Sequence, residues 1–152
     1  MRIVVLGVGN IIMGDEGVGV RCVERIEAAG LLPPGVIVID GGTSTNELLG
    51  DLEGTDLLVI VDAVATGEPA GTLVRLEGDR IPSAFSNKLS PHQHGINDML
   101  ATLTFLGRAP ERVVLHGVTP HRMELGLELS PEIEAVVPQL IANVVAEVTR
   151  VS

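Results

Sequence analysis

There is no tryptophan or tyrosine in this 152-residue chain, and its only phenylalanines are Phe85 and Phe105, although apolar residues make up 45% of it. A core built almost without aromatic rings has to be aliphatic, and aliphatic interiors suit parallel sheets covered by helices on both faces. Cysteine is scarce as well. Cys22 stands alone, which excludes an internal disulfide and a cysteine-based zinc cage and is what a reducing cytosol permits. Positive charge is the third shortage: 10 Lys and Arg against 20 Asp and Glu leave a formal charge of −10. Such a field repels phosphate backbones, and no basic cluster reverses it locally, which argues against nucleic acid as a partner. Finally, nowhere do eighteen apolar residues run together, so no membrane insertion is expected. The apolar start, Ile3 to Met13, carries Gly7 and Gly9 and runs into Asp15-Glu16 without a small-residue cleavage site. It reads as a buried strand rather than a signal peptide.

What is present has the order of an α/β protein, and the length suits one domain spanning residues 1–152. A β-branched run over 2–7 ends at glycine, and Val18, Cys22, Val23 and Ile26 then share one helical face, giving strand and helix. Gly30 and Pro33-Pro34 stop that helix, and residues 36–40 read as a second strand. After the Gly41-Gly42 turn, Ser44 and Glu47 stand three apart ahead of Leu48-Leu49, the capping-box arrangement for a short helix. Residues 57–62 are apolar on both sides and predict a central third strand, and 72–76 a fourth. Residues 77–93 show no period; with Pro82, Pro91 and the isolated Phe85 they form a candidate functional loop and a candidate wall for a partner. Ile96, Met99, Leu100, Leu103 and Leu106 recur at helical spacing up to Gly107, and 112–118 is the fifth strand. The last helix opens at Ser130-Pro131, with Ile133, Val136, Val137, Leu140, Ile141, Val144 and Val148 as its stripe and Pro138 as a kink. Alternating strands and helices predict an α/β/α sandwich of three layers: a mostly parallel, twisted sheet of about five strands with helices on both faces.

In such sheets ligands gather at the carboxyl ends of the strands, near the point where strand order reverses. Asp62 ends the third strand, Glu16 follows the first, and His92 closes the long loop. Two carboxylates and an imidazole from separate segments are therefore candidates to converge there. Each also has a plain structural reading. Asp15 and Glu16 would complement a helix N-terminus, Asp62 would cap a turn, and His92 would bond to backbone. The Gly7-x-Gly9 pair is not a dinucleotide fingerprint, because Ile12 stands where the third glycine belongs and two acids follow Gly14. No Gly-x-Ser-x-Gly elbow is present either, which removes the Ser-His-Asp hydrolase reading. A nucleotide-binding module and a metal-sensing chaperone that does not cut remain the alternatives from other classes.

Together, Gly7-Val-Gly-Asn-Ile-Ile-Met-Gly-Asp-Glu16-Gly-Val-Gly-Val20, Asp40-Gly-Gly-Thr43, Asp62-Ala63, Ser90-Pro-His-Gln93 and Gly117-Val-Thr-Pro120 resemble the hydrogenase maturation endopeptidases over nearly the whole chain. The resemblance implies a cytoplasmic endopeptidase that removes a C-terminal extension from a [NiFe]-hydrogenase large-subunit precursor once nickel has been inserted. It implies Glu16, Asp62 and His92 as metal ligands, with nickel supplied by the precursor, and Asp40, Gly41, Gly42 and Thr43 as the turn that selects substrate. Asp62 or Glu16 would also activate the attacking water, making the enzyme acid-dependent without the Asp-Thr-Gly setting of pepsin-like aspartyl proteases. One departure is His94, where the family often has an aliphatic residue. It stands four residues before Asp98 and offers a competing pair. His116 and His121 read as structural or exposed.

Overall fold

The computed structural model describes residues 1–42, 48–81 and 91–152, with side chains of the last span from residue 96 onward. Five strands, β1 (Ile3–Val8), β2 (Ile37–Gly42), β3 (Leu57–Ala63), β4 (Leu73–Glu77) and β5 (Arg112–Val118), form one sheet in the order β2-β1-β3-β5-β4. The first four in that row are parallel and β4 runs antiparallel at the edge. Each strand lies within a residue or two of its sequence-based expectation. Among the described residues the helices are α1 (Val18–Ala28), α2 (Leu49–Leu52), α3 (Pro91–Phe105), α4 (Pro131–Glu134) and α5 (Val137–Val151), and a 3-10 turn, Gly14–Gly17, precedes α1.

The aliphatic strands alternate between two cores. Ile3 and Val5 of β1, with Leu57, Val59, Val61 and Ala63 of β3, pack against Val18, Cys22, Val23 and Ile26 of α1 and Leu140, Val144 and Val148 of α5. Val4, Leu6, Leu58, Ile60 and Leu115 point the other way, onto Leu52 of α2 and Ile96, Met99 and Leu103 of α3. Period-two patterning on a strand fully buried on both sides is what a three-layer sandwich requires. β4 is the exception. As an edge strand it is half-exposed, and its residues alternate weakly.

Four expectations change. The C-terminal stripe is divided into α4 and α5, with Pro138 in the first turn of α5. There its missing N–H costs nothing, so it starts a helix and does not kink one. Ser130 occupies the N-cap position of α4, but its hydroxyl donates to Asp15 and makes no capping bond. Leu106 falls beyond the last turn of α3 and, like Phe105, is exposed, so the buried stripe of that helix ends at Leu103. The helix also starts earlier than its apolar period, at Pro91, which puts the backbone of His92 in its first turn. Ser44, Glu47 and Phe85 lie outside the described residues.

Candidate active site at the carboxyl rim of the sheet

From β1 the chain moves first to β2 on one side and then across to β3 on the other. The strand order therefore reverses between β1 and β3, and the carboxyl ends of these two strands flank the crevice where an α/β sheet binds its ligand. Both predicted acids belong to that rim. Asp62 is the last residue but one of β3 and is 0% exposed. By alternation with Leu58, Ile60 and Val64 it falls on the face covered by α3. Its Oδ1 accepts the backbone N–H of Ala63 at 2.8 Å. Glu16 lies in the 3-10 turn directly after β1, partly buried.

Glycine allows that turn to sit so low on the sheet. A Cβ on Gly9 would collide with the Glu16 carbonyl, and one on Gly19 would collide with the carbonyls of Val61 and Val8. Gly9 has φ +130, which further disfavours any other residue. The glycine pairs of the first motif thus serve close backbone approach. They bring the Glu16 turn against β1, and the start of α1 against the residue before Asp62.

The histidine of the predicted trio is placed by its helix. α3 has 15 residues, about 22 Å at the usual rise, so it spans the depth of the sheet. Its C-terminal end leads through Gly107 to Glu111 and Arg112, whose N–H groups bond to the carbonyls of Thr55 and Asp56 at the amino end of β3. The first turn, with His92 and His94, accordingly belongs to the opposite, carboxyl side. Among the described residues no three His, Cys, Asp or Glu side chains gather as a metal set. The side chains of His92 and His94 lie outside the described residues.

The Asp40 turn adjoins the same rim. Gly42 has φ +52, its N–H bonds to Asp40 Oδ1 at 3.0 Å, and its carbonyl accepts the N–H of Gly9 at 2.8 Å. A Cβ on Gly41 would press on Leu6 and Leu48. Asp40 and Gly42 face Gly9, Asn10, Ile11 and Val20 across a cavity of 170 Å³. Thr43 lies outside the described residues.

Asp15, which one reading of the sequence had complementing its own helix N-terminus, is 0% exposed, and its carboxylate is taken up by a distant loop. Its Oδ1 accepts the Ser130 N–H at 2.7 Å, and its Oδ2 accepts the N–H groups of His121 and Arg122, at 3.0 and 2.7 Å, and the Ser130 hydroxyl at 2.7 Å. A buried acid answered by four donors carries no unmet polar cost. The motif contained the acid, but its partners lie more than a hundred residues away and leave no local trace. His116 is buried, as expected of a structural histidine. Its Nε2 lies 2.9 Å from Glu147 Oε1, and burial is the main reason its pKa falls below the usual value. His121 is exposed, 3.8 Å from Glu132.

The chain is similar to known proteins along nearly all of its length. Residues 20–147 match the model of the hydrogenase maturation protease family. The hydrogenase 2 maturation protease of Escherichia coli (strain K12) is 44% identical over 147 residues, 96% of this chain and 90% of that protein. The hydrogenase expression/formation protein HupD of Rhodobacter capsulatus is 40% identical, over 96% of this chain and 70% of its own. Among solved structures, the hydrogenase maturating endopeptidase HybD of Escherichia coli superposes with a TM-score of 0.94 at 41% identity, covering all of this chain and 94% of that one. The [NiFe] hydrogenase maturation protease HybD of Thermococcus kodakarensis gives 0.82 at 27% identity, covering 97% and 99%. With its sheet order, its glycine-packed rim and this agreement in sequence and fold, the chain belongs to the hydrogenase maturation protease family, the endopeptidases of hydrogenase maturation.

Proposed function

We propose that this protein removes the C-terminal extension of a [NiFe]-hydrogenase large-subunit precursor after nickel insertion, and that Glu16, Asp62 and His92 complete the coordination of the nickel the precursor carries. The observation that supports this reading best is the meeting of the Glu16 turn and the Asp62 strand end at the strand-order reversal, packed so closely that only glycine fits at positions 9 and 19. Two carboxylates and one imidazole are a donor set suited to a borderline divalent ion, and three protein donors leave positions for substrate groups. A precursor without nickel would bring its tail to two acids with no cation to balance them, which disfavours that complex. Cleavage then follows metal insertion.

A carboxylate at this rim also orients and deprotonates the attacking water, while nickel polarises the scissile carbonyl. The 170 Å³ cavity beside Asp40 and Gly42 receives part of the extension. Ile11, Ile12, Met123, Leu125 and Leu127 surround the Glu16 turn and are exposed. Gly126 joins their two loops, its N–H bonding to the Ile12 carbonyl and its carbonyl accepting the Gly14 N–H. They form the apolar ground on which the body of the precursor rests. The protein works in the cytoplasm, where the precursor is assembled.

The test is mass spectrometry of nickel-loaded precursor mixed with native protein or with Asp62→Asn. Native protein is expected to release a C-terminal peptide and the variant to release none. A stable complex with no fragment would make the protein a chaperone, and normal trimming by Asp62→Asn would remove that acid from the mechanism.

A further inference from the structure

Beside Glu16 stands an acid that the chemistry above does not use. We propose that Asp15 is a positioning residue: its buried carboxylate locks the loop over residues 121–130 onto the 3-10 turn and so sets the direction in which Glu16 is presented. The inference rests on the proposed role of Glu16 and goes one step beyond it.

The geometry is specific. All four groups that reach the Asp15 carboxylate are donors: the Ser130 N–H at 2.7 Å, the Ser130 hydroxyl at 2.7 Å, and the His121 and Arg122 N–H groups at 3.0 and 2.7 Å. They come from both ends of one loop. A second set of bonds runs through the backbone of the same turn, from the Asp15 N–H to the Arg122 carbonyl at 2.9 Å and from the Gly14 N–H to the Gly126 carbonyl at 2.9 Å. The turn is thereby fixed to this loop as well as to the sheet.

In a 3-10 turn successive side chains leave the axis about 120° apart, from its three residues per turn. Holding the Asp15 side chain in place therefore fixes the rotation of the turn, and with it the bearing of Glu16. An ionised carboxylate is the one side chain of this length that offers acceptors alone. Asparagine would turn an NH2 group toward groups that are themselves donors. Leu129 and Ser130 are buried at the end of the same loop, so the restraint is seated on the core.

The experiment compares steady-state processing of nickel-loaded precursor by native protein, Asp15→Asn, Asp62→Asn and Val148→Ala. Val148 is a core residue of α5 and serves as a control for general loss of stability, assayed well below the melting temperature of every variant. The expected result is a kcat for Asp15→Asn lower by roughly tenfold or more, the scale of a misplaced reacting group, with a smaller rise in KM for the precursor because Met123, Leu125 and Leu127 lie on the same loop, and with Val148→Ala at native kcat. Amide hydrogen exchange at Arg122 and Ser130 should accelerate in the same variant. Should Asp15→Asn fail to fold, Ser130→Ala removes one of the four donors and is expected to lower kcat about threefold, again by more than it raises KM.

Native kcat in Asp15→Asn, a loss matched by Val148→Ala, or a rise in KM alone would each overturn the proposal. An active Asp62→Asn would bring down the reading of the site itself. An inactive Asp62→Asn beside a fully active Asp15→Asn would overturn only the positioning role.

Discussion

Two buried carboxylates in this protein are satisfied in opposite ways. Asp15, at the carboxyl rim, is met by three backbone N–H groups and a hydroxyl. Glu147, on α5 above the β4 edge, is met by two arginines, Arg75 at 2.6 Å and Arg150, and by the ring of His116 at 2.9 Å. Neutral donors fix an acid in space and leave the local field negative, as the proposed nickel-recognition site needs. Arginines cancel the charge and tie an edge strand to a helix, as an exposed sheet margin needs. Burial alone thus says little about what an acid does. The nature of its donors separates a site from a seam.

The contrast can be broken most decisively by exchanging losses between the two regions. Glu16→Gln is expected to abolish processing of nickel-loaded precursor, with a fall of at least ~100-fold in kcat/KM, while thermal unfolding moves little. Glu147→Gln should behave inversely. It leaves Arg75 and the buried His116 without their anion, and because Arg75 is partly exposed the expected loss is about 2 kcal/mol of unfolding free energy, with processing unchanged at 20 °C below melting. Loss of processing in Glu147→Gln at full folding would erase the distinction.

The glycine packing gives the next effect in size. Gly19→Ala puts a methyl group into the carbonyls of Val61 and Val8, and denaturant titration should show a loss of roughly 2 kcal/mol or more. Gly50→Ala, where a Cβ meets nothing within 4 Å, should leave stability intact. A tolerated Gly19→Ala would mean that the rim is looser than its contacts imply.

Acid sharpens the same comparison at smaller amplitude. The hydrogen bond from Arg75 is the main cause that lowers the Glu147 pKa from 4.5 to about 2. An acid whose folded pKa is depressed binds protons more readily once unfolded, so its stabilisation is complete above about 4.5 and disappears as pH falls toward about 2. His116, also depressed, begins to oppose folding as pH drops below its ordinary value of 6.5. Chemical denaturation between pH 7 and pH 3 should show a shallower decline in Glu147→Gln than in native protein. Equal slopes would locate the acid sensitivity elsewhere.

The smallest expected effect concerns Cys22. Its burial raises the thiol to about 12, and it is 0% exposed on the inner face of α1. Iodoacetamide at pH 8 should leave it unmodified in the native state and label it in denaturant. Native labelling would show that the α1 face opens.

Much of this architecture could be read along the chain because its signals are local. The β-branched runs of β1 and β3, the stripes of α1 and α5, and the glycine stops each depend on neighbours a few residues away. Where the expectation failed, two cases were local breaks in a helix and two were decided by distant contacts. Pro138 begins a second helix because α4 turns at residues 135–136. Ser130 gives up its cap to Asp15. Leu106 matched the helical period, yet the helix beneath it had already ended. At the site, Glu16 and Asp62 were legible as acids at strand ends. The assignment of Asp15 was not, because its four donors lie at residues 121, 122 and 130.

The sequence by itself determined the layers, since hydrophobic period and turn chemistry act over short distances, and its motifs carried the family. Only the tertiary structure decided the order β2-β1-β3-β5-β4, the antiparallel course of β4, and the distant loop in which the Asp15 carboxylate finds its donors. Those outcomes depend on which surfaces meet after collapse and on whether each buried polar group finds a partner there, and neither is written in any local stretch of residues.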